Sequence, residues 1–220
     1  FQAEDGIRDG AFGLVGSEMC IRDRCLIAGF VDAVGYLEHG QVFTANMTGN
    51  TVLLGATLVK GDWLAASYLA TIAVFTLGVA ASTLLKLAGV ALPVLFFIAG
   101  ALLIGITATD LPGFAVLCSL AFVMGVQGGA ISSFSGIRLP TVVVTSTLVN
   151  LVDGLVRRGL QRGSVPATPP ANLGHLAAAW IAYGIGGGVA VLAQSHLALP
   201  LIVPALLYGG VAVGLLKGTD

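Results

Sequence analysis

"VFTANMTGNTVLLG" (Val42–Gly55) sets Thr44, Asn46, Thr48, Asn50 and Thr51 among glycines, between two hydrophobic runs. Read as a loop, it joins two membrane spans. Read as the head of a half-helix, it re-enters the membrane and offers polar groups to a solute there. The choice decides the fold, because it fixes how often the chain crosses the bilayer.

Composition requires that bilayer. The 220 residues are 56% apolar and only 10% charged, with mean hydropathy +0.97. A soluble domain carries about 25% charged residues, and no soluble fold of this size could hide so much apolar surface. The runs are helix-length, whereas a membrane barrel alternates in segments of about ten residues. The expected class is an all-α integral membrane protein with the lipid bilayer as its partner. A net charge of −1 gives no hint of nucleic-acid binding.

Residues 1–24 do not fit this picture. "FQAEDGIRDG" and "SEMCIRDR" resemble peptides that arise when sequencing adapters are translated into assemblies. They carry eight charges, whereas the other 196 residues carry 13. Phe1 to Arg24 is therefore set aside as a non-native segment, with a genuine polar tail as the competing reading. Residues 25–220 form a single transmembrane domain.

Six apolar runs are close to the ~20 residues a bilayer core requires. They are Cys25–His39, Trp63–Leu85, Val90–Thr109, Phe114–Ser133, His175–Ser195 and Leu197–Leu216. Two shorter runs with polar heads remain, Val42–Val59 and Thr141–Val156. As full spans they give eight crossings; as re-entrant half-helices they give six. With six, Lys86, Arg138, Arg157, Arg158, Arg162 and Lys217 share one side and only Lys60 is outside, which the positive-inside rule favours. The stretch "RGSVPATPPAN" (Arg162–Asn172) reads as a linker.

The chain also resembles itself. Gly29 opens "GFVDAVGYLEHGQVFTANMTGN" and Gly125 opens "GVQGGAISSFSGIRLPTVVVTST". Met47-Thr48-Gly49-Asn50 aligns with Val144-Thr145-Ser146-Thr147 at an offset of 97, and Asp32 falls near Gln127. Three spans per half is an odd number, so pseudo-repeats 25–110 and 112–217 would lie inverted, a recurring transporter design. Chance similarity between Gly/Thr-rich segments competes with this reading.

Gly29-Phe30-Val31-Asp32-Ala33 and Met47-Thr48-Gly49-Asn50-Thr51, with Gly125-Val126-Gln127 and Val144-Thr145 later, resemble the YoaK family of bacterial membrane proteins. The resemblance covers about Cys25 to Leu216 and departs at Ser146, where the family more often has Gly. It implies about six spans and a bacterial inner membrane, and no established activity.

The candidate solute- or ion-binding residues are Asp32, Asn46, Thr48, Gly49, Asn50, Gln127 and Thr145. Asp32 lies about halfway along the first span, where a carboxylate costs ~2.5–3.5 kcal/mol on insertion scales. Such residues mark ion or proton paths or stitch helices together. Thr48 and Asn50 would stand near a half-helix N-terminus, whose N–H groups attract anionic groups. Gly49 lets a backbone bend or a ligand approach. Glu38 and His39 sit at a span end. Asn150 and Asp153 share a helical face, and Asp153 can pair with Arg157. Gly125…Gly129, Gly184…Gly188 and Gly210…Gly214 have helix-packing spacing.

No P-loop, zinc-protease or serine-hydrolase motif is present. Neither catalysis, a cofactor nor a metal is expected. The favoured expectation is a secondary transporter or permease for a small polar solute, with protons as a coupling ion. The alternative is a non-transporting scaffold or partner subunit.

Overall fold

A computed structural model describes residues 5–130, 148–149, 151–156 and 173–217, by backbone alone at 5–21, 175 and 217. Every regular element among them is an α-helix. These are α1 (Asp5–Glu38), α2 (Met47–Lys60), α3 (Leu64–Leu87), α4 (Leu92–Thr107), α5 (Gly113–Ala130), α6 (Leu173–His196) and α7 (Ile202–Lys217). Residues 148–149 and 151–156 are also helical. The all-α membrane class stands. Leu64–Leu87, Gly113–Ala130 and Leu176–His196 are long and apolar enough to cross a membrane, and Leu92–Thr107 and Ile202–Leu216 are shorter apolar helices.

Local chemistry sets the boundaries. Gly61, left-handed at φ 67°, ends α2, and the Asp62 N–H returns to the Thr57 carbonyl, the pattern of a glycine-terminated helix. Asp62 Oδ1 then accepts from the Leu64 N–H at 3.0 Å at the start of α3. Ala91 is extended and Pro93 occupies the first turn of α4, where proline fits without losing a hydrogen bond. The last run begins its helix at Ile202 rather than Leu197, because Pro200 sits in an intervening turn. The first helix is longer than the expected Cys25–His39. It continues back to Asp5, and Arg24, set aside on sequence grounds, is buried in the bundle.

Glycine makes the helix seams. A Cβ on Gly29 would stand 2.8 Å from the Tyr183 carbonyl carbon and closer to its oxygen. One on Gly186 would meet the Leu26 carbonyl and, at 2.9 Å, the Phe30 nitrogen. These two glycines press α1 and α6 together backbone on backbone. Gly125 against the Phe75 carbonyl, and Gly78 against the Phe122 carbonyl and Val126 nitrogen, do the same for α5 and α3. In a bilayer, where hydrophobicity does not drive helices together, close packing of small residues is the main source of association.

These contacts fix the helix directions. Residue numbers rise together along α1 and α6, with Cys25 by Ala179 and Ala182, and Ala33 by Gly187. They also rise together along α3 and α5, with Phe75 by Gly125 and Ser82 by Gly129. Along α1 and α5 they oppose: Arg24 meets Gln127 and Gly35 meets Leu117. Antiparallel α1 and α5 need an odd number of reversals between them. Crossings by α3, α4 and α5 supply three; a crossing by α2 would make four. At ~1.5 Å per residue, the 14 residues of α2 also span only ~21 Å. The segment Val42–Val59 therefore re-enters, and the reading with eight spans fails. Its later counterpart Thr141–Val156 is described only in part, as helical residues at its end.

Candidate functional site

The site begins with a reversal. After α1, Gly40 (φ 88°) and Gln41 (φ 62°) are both left-handed, a conformation costly for a residue with a Cβ. The chain doubles back along α1, bringing the Val42 carbonyl and the Thr44 methyl against Gly35. It continues down to the level of Asp32. Six residues separate Asp32 from Glu38, so at ~1.5 Å per residue the loop descends ~9 Å into the bundle.

Unpaired backbone N–H groups cannot face lipid at that depth, and Asp32 receives them. Its Oδ1 accepts from the N–H groups of Thr44 (2.7 Å), Ala45 (2.6 Å) and Asn46 (3.4 Å) and from the Thr44 hydroxyl (3.3 Å). Its Oδ2 accepts a short hydrogen bond from the Tyr183 hydroxyl of α6. Asp32 is 3% exposed. Hydrogen bonds to a charged group contribute ~1.5–3 kcal/mol each, so this set offsets the ~2.5–3.5 kcal/mol insertion cost. Asp32 thus latches three parts of the molecule: α1, the re-entrant loop and α6. Oδ1 is crowded by N–H donors, whereas Oδ2 faces one hydroxyl that can donate or accept. A proton on this carboxyl has room only at Oδ2.

The motif residues complete the turn into α2. Asn46 is the N-cap; its Oδ1 accepts from the Gly49 N–H (3.2 Å) and the Thr48 hydroxyl (2.8 Å). Gly49 lets that cap close, because a Cβ there would press on Asn46 Nδ2 and the Phe43 ring at 3.1 Å. Asn50 is fully buried. Its Nδ2 donates to the Phe43 carbonyl (2.6 Å) and its Oδ1 accepts from the Phe43 N–H (3.0 Å). This two-point clamp holds the descending loop against the first turn of α2.

The structure therefore gathers Asp32, Asn46, Thr48, Gly49 and Asn50 into one cluster. Gln127 lies elsewhere. It is 3% exposed on α5, accepts from the Tyr208 hydroxyl of α7 at 2.7 Å and donates to the Arg24 carbonyl at 3.4 Å. Arg24 is eight residues from Asp32, or ~12 Å along α1. Thr145, Asn150 and Arg157 lie outside the described residues. His39 packs on the start of α5, its Nδ1 3.3 Å from where a Gly113 Cβ would be. Burial lowers its pKa, with Glu38 pulling the other way. Among the described residues no three His, Cys, Asp or Glu side chains gather to hold a metal.

Sequence reasoning missed Tyr183 and Tyr208. A signal existed for both: a tyrosine in a span must find a partner for its hydroxyl, and each stands in a run of small and apolar residues.

A family model described as "Protein of unknown function (DUF1275)" matches residues 24–214. The chain belongs to that family. Its match takes in all the described residues of the Asp32 cluster and begins at the buried Arg24. The chain is also similar to the UPF0700 transmembrane protein YoaK of Bacillus subtilis (strain 168), with 67% identity over 36 residues. That stretch is 16% of this chain, and the chain spans 16% of the relative's length. No solved structure matches the chain.

Proposed function

We propose that this DUF1275 protein is a non-enzymatic secondary transporter or permease for a small polar solute, in a bacterial inner membrane, with Asp32 as its proton-carrying group. The observation that carries the reading is the Asp32 latch. A carboxyl buried in a membrane bundle ties a re-entrant loop to two spans. Buried ionisable groups in spans commonly lie on ion and proton paths. The loop would be freed when Asp32 gains a proton at Oδ2, because a neutral carboxyl is a weaker acceptor than a carboxylate. The solute would then meet Asn46, Thr48, Gly49 and Asn50, with Gln127 and Thr145 as candidates contributed by the second half.

The spacing of the seam contacts in the two halves supports the reading, with an inverted repeat as part of the proposal. Moving Gly29, Leu26 and Phe30 on by 96 gives Gly125, Phe122 and Val126; moving Phe75 and Gly78 on by 108 gives Tyr183 and Gly186. The same seam is thus built twice, with the first helix of each half packed on a later helix of the other. The antiparallel course of α1 and α5 is what inversion requires.

A second reading, a scaffold or partner subunit, draws on a different observation. The hydrogen bonds of Asp32 and Asn50 are made inside the protein, as in a purely structural knot.

The deciding experiment uses purified protein in proteoliposomes with a pH dye inside and a panel of small polar solutes outside. The transporter reading expects proton flux that depends on one solute class and is lost in Asp32→Asn, with insertion and elution unchanged. Absence of flux with every solute, or equal flux in Asp32→Asn across the pH range, overturns it.

A further inference from the structure

The seam glycines divide the bundle differently from the order of the chain. At Gly29 and Gly186 within α1–α6, and at Gly78 and Gly125 within α3–α5, backbone lies directly on backbone. Each pair carries an additional tie. Tyr183 donates to Asp32 across α1–α6, and Lys86 Nζ donates to the Gly129 carbonyl across α3–α5. Neither pair can part without losing its whole seam, since close-packed interfaces are bistable rather than continuously deformable.

Between the pairs the contact is of another kind. α1 meets α5 through side chains, with Leu117 against Gly35 and the long 3.4 Å bond from Gln127 to the Arg24 carbonyl. α7 packs on α1, and α4 packs on α5. α4 and α7 pack on each other, with Gly100 near Ala205 and Phe96 stacked on Tyr208 at 5.9 Å. The re-entrant segment spans the division. Its loop is held on one pair by Asp32, which Tyr183 braces. Val42 and α2 pack on Tyr68, Leu64 and Leu117 of the other.

We infer that the molecule moves as two rigid bodies, α1–α6 and α3–α5, which hinge at the α4–α7 contact and part along the α1–α5 seam. The Asp32-bound loop is the lock between them. Each body draws helices from both halves of the chain. The movement would open a path beside the Asp32 cluster, and that part rests on the transport reading; the two bodies themselves rest on packing alone.

Electron–electron distance measurements on spin labels test this without any solute. On a background with Cys20, Cys25 and Cys118 changed to alanine, three pairs of lipid-facing positions are labelled in parent and Asp32→Asn proteins. Leu37→Cys with Val191→Cys reports within the first body. Leu69→Cys with Phe114→Cys reports within the second, and Leu37→Cys with Phe114→Cys reports across the seam. All four side chains are apolar and exposed. The inference expects one narrow distance for both internal pairs. It expects a second, longer distance for the seam pair, more populated in Asp32→Asn than in the parent. One distance for all three pairs in both proteins, or broadening of all three together, overturns it. A failure to find any transported solute would leave this result standing, so the two ideas fall separately.

Discussion

Replacing Gly29 with alanine tests the seam on which the site depends. The new methyl would stand 2.8 Å from the Tyr183 carbonyl carbon and closer to its oxygen, where ordinary contact begins at 3.4 Å. Backbone cannot rotate aside, so α6 must retreat by about an ångström. Overpacking of this kind costs ~1–3 kcal/mol. The retreat also draws the Tyr183 hydroxyl from Asp32, forfeiting a charged hydrogen bond of ~1.5–3 kcal/mol. A total near ~3–5 kcal/mol corresponds to a melting temperature lowered by roughly 10 °C in a protein of this size. The assay is thermal unfolding in one detergent, followed by loss of the monodisperse peak. Gly184→Ala and Gly188→Ala are the controls on the same helix, since nothing lies within 4 Å of a Cβ at either. They should match or slightly exceed the parent, because alanine favours helix by ~1 kcal/mol over glycine. Gly29→Ala melting within ~2 °C of the parent, or Gly184→Ala falling as far, would refute the seam.

Asn50→Ala removes both bonds to Phe43 and leaves its half-buried backbone groups without that partner, so a loss of ~1–3 kcal/mol is expected by thermal or denaturant unfolding; weakened solute binding at unchanged stability would contradict the clamp. His39 supplies a pH dependence. Burial lowers its pKa below the ordinary 6.5, so the unfolded chain binds its proton first. Its contribution is whole above pH 6.5 and lost as pH falls through the folded value. The parent should therefore lose melting temperature on acidification over that window, and His39→Gln should lose less; parallel curves for the two would contradict the assignment.

Much of the fold was legible because bilayer length and apolar runs are strong signals. The boundaries of α3, α4 and α6 agree with the expected runs within two residues. The re-entrant course of Val42–Val59 was left open, and composition could not close it. The deciding contacts, Arg24 with Gln127 and Gly35 with Leu117, join positions far apart in the chain. Asp32 stood out because a carboxylate in a span demands partners. Those partners were harder to find, since two of its closest donors are the backbone N–H groups of Thr44 and Ala45, which any residue carries. Several threonines in the helices are satisfied locally. Thr51, Thr57, Thr71, Thr76 and Thr83 each donate to the carbonyl four residues back, which lets a hydroxyl live in a span. Asn50 reads as a candidate solute ligand for the same reason that it makes a good clamp: one side chain with a donor and an acceptor.

The re-entrant segment carries both the fold and the proposed site, and its course can be measured directly. Glu38→Cys marks the end of α1 and Lys60→Cys the end of α2, in intact cells on the cysteine-free background. A membrane-impermeant maleimide should reach both from the same, outer side, because α2 returns to the surface its loop left. Reaction of the two positions from opposite sides of the membrane would make α2 a full crossing and contradict the account.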